Sequence, residues 1–505
     1  MSANRRWIAL STLVLALLLI SIDATVLGLA LPHLAEDLRP SATQVLWIGD
    51  VYGFVLAGLL VTMGSLGDRI GRKKLLMIGA VGFGLASIPA AFAPTAEVLI
   101  ASRALLGVAG ATLMPSTLSL IRNIFTDPKE RSVAIGVWSA MASAGAAVGP
   151  LVGGLLLDHF WWGSVFLINV PVMVLLVAVG MVVLPESRDP HPGPWDLPSV
   201  GLSMVGIIGV VYAIKEIAAY GVAHPLPWLA GVVGAIALYL FARRQNRLHS
   251  PLVEIRLFTN PRFSGAVAAD LMTIVGLTAV VFFLSQFLQL VQGYSALEAG
   301  LRELPAVGGA AVAALAAGWL ASRTSARLMV TTGLAMVGAG LAAIVMLERT
   351  TPYLPIAVIM VVIGLGAGLS TTVTADLIMS SVRKEKAGAA SAISESAYEL
   401  GSALGIAILG TMLTAFYRAQ VVAPPGSDVS AVRDSIGGAV VEAAKLPARL
   451  AAGLLESAQT AFVGGLRIAA AAGAVLLVAA AVAAWFTLRR QPAEVDEERA
   501  SVRVP

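Results

Sequence analysis

Five carboxylic acids and one arginine stand inside long apolar stretches of this 505-residue chain, and their types and spacing suit reversible proton binding. Asp23 lies in Ser21-Ile-Asp23-Ala-Thr25, and Asp50 follows Trp47-Ile-Gly. Asp270 and the pair Glu395 and Glu399 come later, and Arg103 sits in Leu99-Ile-Ala-Ser-Arg103-Ala-Leu-Leu-Gly107. A carboxyl group shielded from water favours its neutral form, so it can hold a proton and release it when a cation approaches. Glu395 and Glu399 are four residues apart and share one helix face. An arginine in hydrocarbon costs at least ~2.5–3.5 kcal/mol, so it needs protein or a wet cavity around it and a partner. Asp23 is the candidate partner, and the pair reads either as proton-transfer machinery or as a buried structural pair. Asp50 and Asp270 are expected nearer the outer and inner surfaces, where water would solvate them. Trp47, Trp138, Phe282, Phe283, Phe287 and Tyr398 add ring faces that attract cations. Gln286, Gln289, Ser370, Thr371 and Thr374 add adaptable polar contacts, so the set suits a greasy cationic guest. Each ring taken singly fits packing against helices or lipid equally well. Adjacent Lys215 and Glu216 fall on different helix faces and read as snorkelling or interhelical groups.

Groups like these need membrane-spanning helices to hold them. The chain is 58% hydrophobic before its 50 glycines are added, and only 13% charged, against about 25% charged in soluble domains. That balance excludes a disordered protein and argues against a soluble multidomain enzyme. Cysteine is absent, so no thiolate chemistry or Cys-ligated metal arises. A spanning helix needs roughly 20 mainly apolar residues. Fourteen such stretches run from 7–31 to 459–488, with 133–156 the fifth and a short 227–242 the eighth. The first is too long for a cleavable signal peptide and lacks a small-residue cleavage site. With the N-terminus inside, inner segments carry 24 of the 34 lysines and arginines and outer segments carry 6. This is the asymmetry of the positive-inside rule, and one helix more or fewer would invert half of it. The reading is an all-α integral membrane protein with both termini in the cytoplasm.

The two halves of the chain echo each other. Gly64-Ser-Leu-Gly-Asp68-Arg69-Ile-Gly71-Arg72-Lys73 is shadowed by Gly318-Trp-Leu-Ala-Ser322-Arg323-Thr-Ser325-Ala-Arg327, and Gly145-x-x-x-Gly149 by Gly401-x-x-x-Gly405. A shift near 255 sets spans 1–6 opposite spans 9–14 and leaves spans 7 and 8 as an insertion, the repeat pattern of many secondary transporters. The proline-rich 185–198 (Pro185, Pro190, Pro192, Pro194, Pro198) must be an extended link. The outer segment 417–458 is long for a bare loop. Val429, Val432, Ile436, Val440, Ala443 and Leu446 recur there at helical spacing, with Pro447 interrupting. Two short amphipathic helices on the membrane face or over a cavity exit, and a solvated connector, are the two readings.

Gly64 to Lys74 carries the most specific pattern. Its glycines permit close helix approach and a tight turn, and Asp68 stands among Arg69, Arg72 and Arg122 where an ion pair would latch one bundle to the other. A basic cluster that merely sets topology explains the cations but not the glycine spacing. The stretch resembles the major facilitator superfamily signature between spans 2 and 3, Gly-x-Leu-x-Asp-Arg-x-Gly-Arg-Lys/Arg. The resemblance makes Gly64, Asp68, Arg69, Gly71, Arg72 and Arg122 an inside gate. Arg103 resembles the superfamily's span-4 arginine, which takes part in proton transfer. Gly145-Ala-Ala-Val-Gly149-Pro150-Leu-Val-Gly153-Gly154 is similar to the antiporter motif of drug-exporting members; its small residues alone would mean only close packing. Ser21-Ile-Asp23-Ala-Thr25 through Leu31-Pro32 resembles a first-span motif of the fourteen-span drug:proton antiporters, with Gly28 where that motif carries an asparagine.

The resemblance covers roughly 1–490 and implies the major-facilitator fold, with fourteen transmembrane helices. A six-helix bundle would span 1–184, two inserted helices with flanking loops 185–262, and a second six-helix bundle with its outer loop 263–488, ahead of a cytoplasmic tail, 489–505. It implies a monomeric proton-coupled multidrug efflux antiporter of the bacterial plasma membrane. Quaternary ammonium compounds, ethidium, acriflavine and fluoroquinolones would be its cargo, driven by the proton gradient without a cofactor. Asp23, Glu395, Glu399 and Arg103 would couple protons; Asp50, the six rings and Gln286 would line the cavity. A narrow exporter of one native metabolite, lipid or antibiotic is the alternative, and a membrane sensor or scaffold the more distant one. No Gly-Lys dipeptide occurs, which excludes a Walker A loop. The five histidines, His33, His159, His191, His224 and His249, fall in predicted loops without ligand spacing, so neither a metal nor a catalytic site nor a nucleic-acid partner is expected.

Overall fold

A computed structural model describes residues 3–38, 40, 42–189, 196–220, 224–248, 251–321, 323–383 and 386–489. Arg39, Pro190, Pro192, Pro194, His191, His249, Ser322, Lys384 and the tail beyond Arg489 lie outside the described residues, as do the side chains of His33 and Pro150. The described elements are helical. The first half contains α1 (Ala3–Leu38), α2 (Ala42–Ile70), α3 (Arg72–Ala91), α4 (Ala96–Ile124) and α5 (Pro128–His159), then α6 (Ser164–Leu167) and α7 (Asn169–Val183), which together form the sixth span. The insertion is α8 (Leu197–Tyr220) and α9 (Pro225–Gln245). The second half follows: α10 (Pro261–Gln286) prolonged by a π-helical turn at Phe287–Val291, α11 (Ala296–Ala321), α12 (Ala326–Ile344), α13 (Tyr353–Ser380), α14 (Ala387–Gln420), the short α15 (Val429–Asp434) and α16 (Ile436–Ala443), and α17 (Ala448–Thr487). Among the described residues 13 helices are long and apolar enough to cross a membrane, and α5, 32 residues long, covers the remaining predicted stretch.

Helix starts follow local chemistry. Asp127 caps α5 by accepting from the Glu130 amide, Pro128 occupying the first turn where its missing N–H costs nothing. Asn260 caps α10 in front of Pro261, and Ser325 caps α12 through the Leu328 amide.

The sequence echo reappears as matched packing. In α5, Gly145 lies so close to α1 that a Cβ would stand 2.7 Å from the Leu18 carbonyl. In α14, a Cβ on Gly401 would stand 2.7 Å from the Leu271 carbonyl of α10. Between the halves, Gly136 of α5 packs its backbone on the Ala314 carbonyl of α11, and Gly388 of α14 packs on the Gly64 carbonyl of α2. Gly388 is 252 positions after Gly136 and Ala314 is 250 after Gly64, so one contact is the pseudo-symmetric copy of the other. Small residues thus let backbones meet where hydrocarbon offers no hydrophobic drive for helices to associate. The small face at Gly145 joins helices within one bundle, and the bundle-to-bundle seam on α5 is made by Gly136.

The inserted α8 packs on α2 and on α14, bridging the two halves on one side. The outer segment is narrower than predicted, because α14 runs to Gln420 and α17 begins at Ala448. Its two short helices bury Val432, Ile436, Ala439 and Ala443, with α16 on α17 and the Tyr417 hydroxyl donating to the Val432 carbonyl at 2.9 Å. They dock on the protein's own helices; Val429 stays exposed, and Ala439, outside the predicted stripe, takes part in the contact.

Candidate functional site

Asp23 is fully buried midway along α1. Its Oδ2 meets the Arg103 guanidinium at 3.3 Å, and its Oδ1 accepts from the Asn169 amide of α7 at 2.9 Å. Asn169 also donates to Ser87 at 3.2 Å. Arg103, 2% exposed, spends its Nε on the Ile48 carbonyl at 3.1 Å and lies 4.9 Å from the centre of the Tyr52 ring. A guanidinium out of water survives only when paired and hydrogen-bonded in this way. The amide partner of Asp23 therefore comes from α7, while position 28 is a glycine with no side chain to offer.

The second half holds its own acids. Asp270 accepts from Thr374 at 2.8 Å and from Ser394 at 3.2 Å and is only 5% exposed. This corrects the expectation of a solvated surface acid: α10 starts at Pro261, which puts Asp270 about 14 Å into the helix at 1.5 Å per residue. Glu395 is buried, its Oε1 without a hydrogen-bond partner among the described residues, and Glu399 stands half-buried one turn further along α14. Glu395 follows Ser394, whose hydroxyl donates to Asp270, and precedes Glu399 by about one helical turn. The Tyr52 ring of α2 lies against the Arg103 guanidinium, and its buried hydroxyl has no hydrogen-bond partner among the described residues.

The end of the molecule richest in Lys and Arg is latched shut. Asp68 accepts from Arg72 at 2.9 and 2.6 Å within its own half. Across the seam it accepts from the amides of Gly388 at 2.9 Å and Ala389 at 3.2 Å, the free N–H groups at the start of α14. Arg122 donates to the Val382 carbonyl beyond the end of α13, and Arg131 pairs with Asp376 at 2.7 Å. Gly71, at φ 112°, adopts a turn that favours glycine, and a Cβ there would strike the Glu186 carboxylate. Glu186 in turn accepts from the Lys73 and Lys74 amides at 3.1 and 3.2 Å, and Arg72 donates to Ser187 at 2.9 Å. Arg69 is half-buried beside this cluster.

The predicted cavity residues differ in their surroundings. Trp47, Phe282 and Tyr398 are exposed, Trp138 donates to Thr117 at 3.1 Å, and Gln286 is half-buried. Phe283 and Phe287 are buried in packing, Phe283 against the Gly410 side of α14. Asp50 pairs with Lys215 at 2.6 Å. A groove of about 610 Å³ opens between α8, α9 and α14, lined by apolar groups including Ile214, Ile217, Trp228, Leu404 and Ile408, and none of the predicted cavity residues borders it. In the antiporter stretch, Gly145 and Gly149 press on α1, Gly153 is buried, and Gly154 has nothing within 4 Å of a built Cβ.

Residues 13–406 match the sequence pattern of the Major Facilitator Superfamily. The chain belongs to that superfamily. The "Multidrug efflux pump LfrA" of Mycolicibacterium smegmatis is 49% identical over 490 residues, covering 96% of this chain and 97% of the relative. The "Methyl viologen resistance protein SmvA" of Salmonella typhimurium is 37% identical over 492 residues, covering 96% and 99%. Among solved structures, the human organic anion transporter MFSD10 superposes with a TM-score of 0.63 at 14% identity, covering 97% of this chain and 100% of that one, which shows the fold. As a superfamily member the chain is a multi-pass membrane transporter. Several residues of this superfamily chain escaped sequence reasoning: Asn169, Tyr52, Glu303 and the Glu186–Ser187 clasp. Asn169 and Glu303 carry a legible signal, a polar side chain inside an apolar run. Glu303, in α11, is half-buried with Oε1 unpartnered near Ser285. Tyr52 carries none, because a tyrosine in an apolar run reads as core.

Proposed function

We propose that the chain is a proton-coupled exporter of lipophilic cations, including quaternary ammonium compounds, ethidium, acriflavine, methyl viologen and fluoroquinolones, across a bacterial plasma membrane with both termini inside. The observation that carries this reading is the set of shielded carboxyl groups on both halves, Asp23 with Arg103 on one and Asp270, Glu395 and Glu399 on the other. With the basic end latched at Asp68, the acids are closed off from the cytoplasm, and in this reading that is the stage at which they exchange protons with the outside. Protonation neutralises them and lets a bound cation leave. When the latch at Asp68 parts, the acids face the cytoplasm, and an arriving cation displaces their protons. Moving one charge through 100 mV is worth ~2.3 kcal/mol, so two or more protons per monovalent cation would draw on the membrane potential as well as the pH gradient. The names of the two relatives, a multidrug pump and a methyl viologen resistance protein, support outward movement of cationic drugs.

The test uses inverted vesicles holding the chain. An acid-inside gradient is expected to drive ethidium uptake, and an uncoupler to abolish it. Uptake indifferent to the uncoupler, or undiminished in Asp23→Asn and Glu399→Gln, would remove the coupling assignment.

A further inference from the structure

The inserted helix α8 places one cation where it has a function to explain. Lys215 Nζ lies 2.6 Å from Asp50 Oδ1 and 5.1 Å from the centre of the Phe54 ring, both on α2. Phe54 meets Trp47 edge-on at 6.2 Å and Tyr212 at 6.0 Å, and packs with Val211 of α8 and Ala403 of α14. Glu399, one turn before Ala403 on α14, stands across the seam from this cluster. One carboxylate, an aromatic face, two further rings and a second acid nearby are what recognition of an organic cation requires. Lysine and aspartate are each more than a third exposed, so the pair is within reach of an exchanging guest.

We infer that Lys215 is a tethered occupant of a cation site made by Asp50, Phe54, Trp47 and Tyr212, and that a substrate cation takes this site only by displacing the ammonium. The inference rests on the reading that the chain carries lipophilic cations, and it gives the inserted helix pair a part in that cycle. The site never stands as a bare carboxylate. When the guest departs the lysine returns, which speeds release at the expense of affinity. Glu399, on the other half, is the acid to which the displaced ammonium can turn.

The experiment measures ethidium binding by fluorescence to the purified full chain. Lys215→Met removes the competitor, and the dissociation constant is expected to fall roughly tenfold, the combined size of one exposed ion pair and one cation–ring contact. Lys215→Arg keeps the charge and is expected to bind as the wild type does, which also shows that the position tolerates change. In an Asp50→Asn background the ion-pair share is gone, so removing Lys215 is expected to tighten binding by no more than about threefold, the share of the ring contact. Unchanged or weaker binding by Lys215→Met would overturn the inference, as would a gain that persists undiminished beside Asp50→Asn. Either result leaves the exporter reading standing if wild-type vesicles still transport. A wild type that binds no ethidium and no other lipophilic cation overturns both.

Discussion

The latch at the basic end makes a quantitative demand on Asp68. Its carboxylate accepts two amides from the start of α14, at 2.9 and 3.2 Å, and a substitution to asparagine keeps the shape but removes the charge. Hydrogen bonds to charged groups contribute about 1.5–3 kcal/mol each, and a negative charge at a helix N-terminus adds ~0.3–1 kcal/mol, up to ~2 when partly buried. Asparagine retains one acceptor oxygen, so the net loss is about 2–3 kcal/mol. At 1.4 kcal/mol per tenfold, the ratio of unlatched to latched molecules should rise roughly 30- to 150-fold in Asp68→Asn. The chain has no cysteine, so labels can be placed without background. Lys129→Cys and Arg383→Cys are both exposed at the basic end on opposite halves. Spin-label distances between them should gain a long component in Asp68→Asn that is minor in the parent. A distance distribution unchanged within about twofold in population would refute the claim that the carboxylate holds α14.

Three further outcomes follow from the same geometry. Arg103→Met leaves Asp23 buried without its counter-charge and should cost about 3–5 kcal/mol of stability, part of which Asp23→Asn restores in the double variant; equal thermal unfolding of single and double variants would contradict this. Gly145→Ala should destabilise by about 1–3 kcal/mol, because a Cβ meets the Leu18 carbonyl of α1, whereas Gly154→Ala meets open space and should transport and melt as the parent does; equal melting of the two would refute the packing argument. In the outer segment, Glu442 is held below the ordinary glutamate value of 4.5 by Lys445 and by the amide of Asp428. A depressed acid stabilises the fold above its unfolded pKa, so this clasp should loosen as pH falls below 4.5, read as faster proteolysis of 421–447; cleavage independent of pH would contradict it.

Much of this was legible in the chain. The spans followed from apolar length, because hydrocarbon admits little else than closed helices. Asp23 and Arg103 stood out because an ion in an apolar run must be explained, and Asp68 through the glycine spacing around it. Asp270 reads from the sequence as a surface acid, since its depth depends on where α10 begins, and Pro261 settles that only once the preceding loop is placed. The cavity rings were the weakest reading: Phe283 and Phe287 have the same composition signal as a binding ring but are consumed in packing. Lys215 looked like a snorkelling side chain because its partner, Asp50, is 165 positions away in sequence.

The most direct test of the central claim counts protons. Purified protein in weakly buffered detergent, given tetraphenylphosphonium, should release protons to a pH-sensitive dye as the cation binds. Release should shrink in Asp23→Asn and in Glu399→Gln. Cation binding with no proton released, or with equal release from those variants, would contradict exchange at these acids.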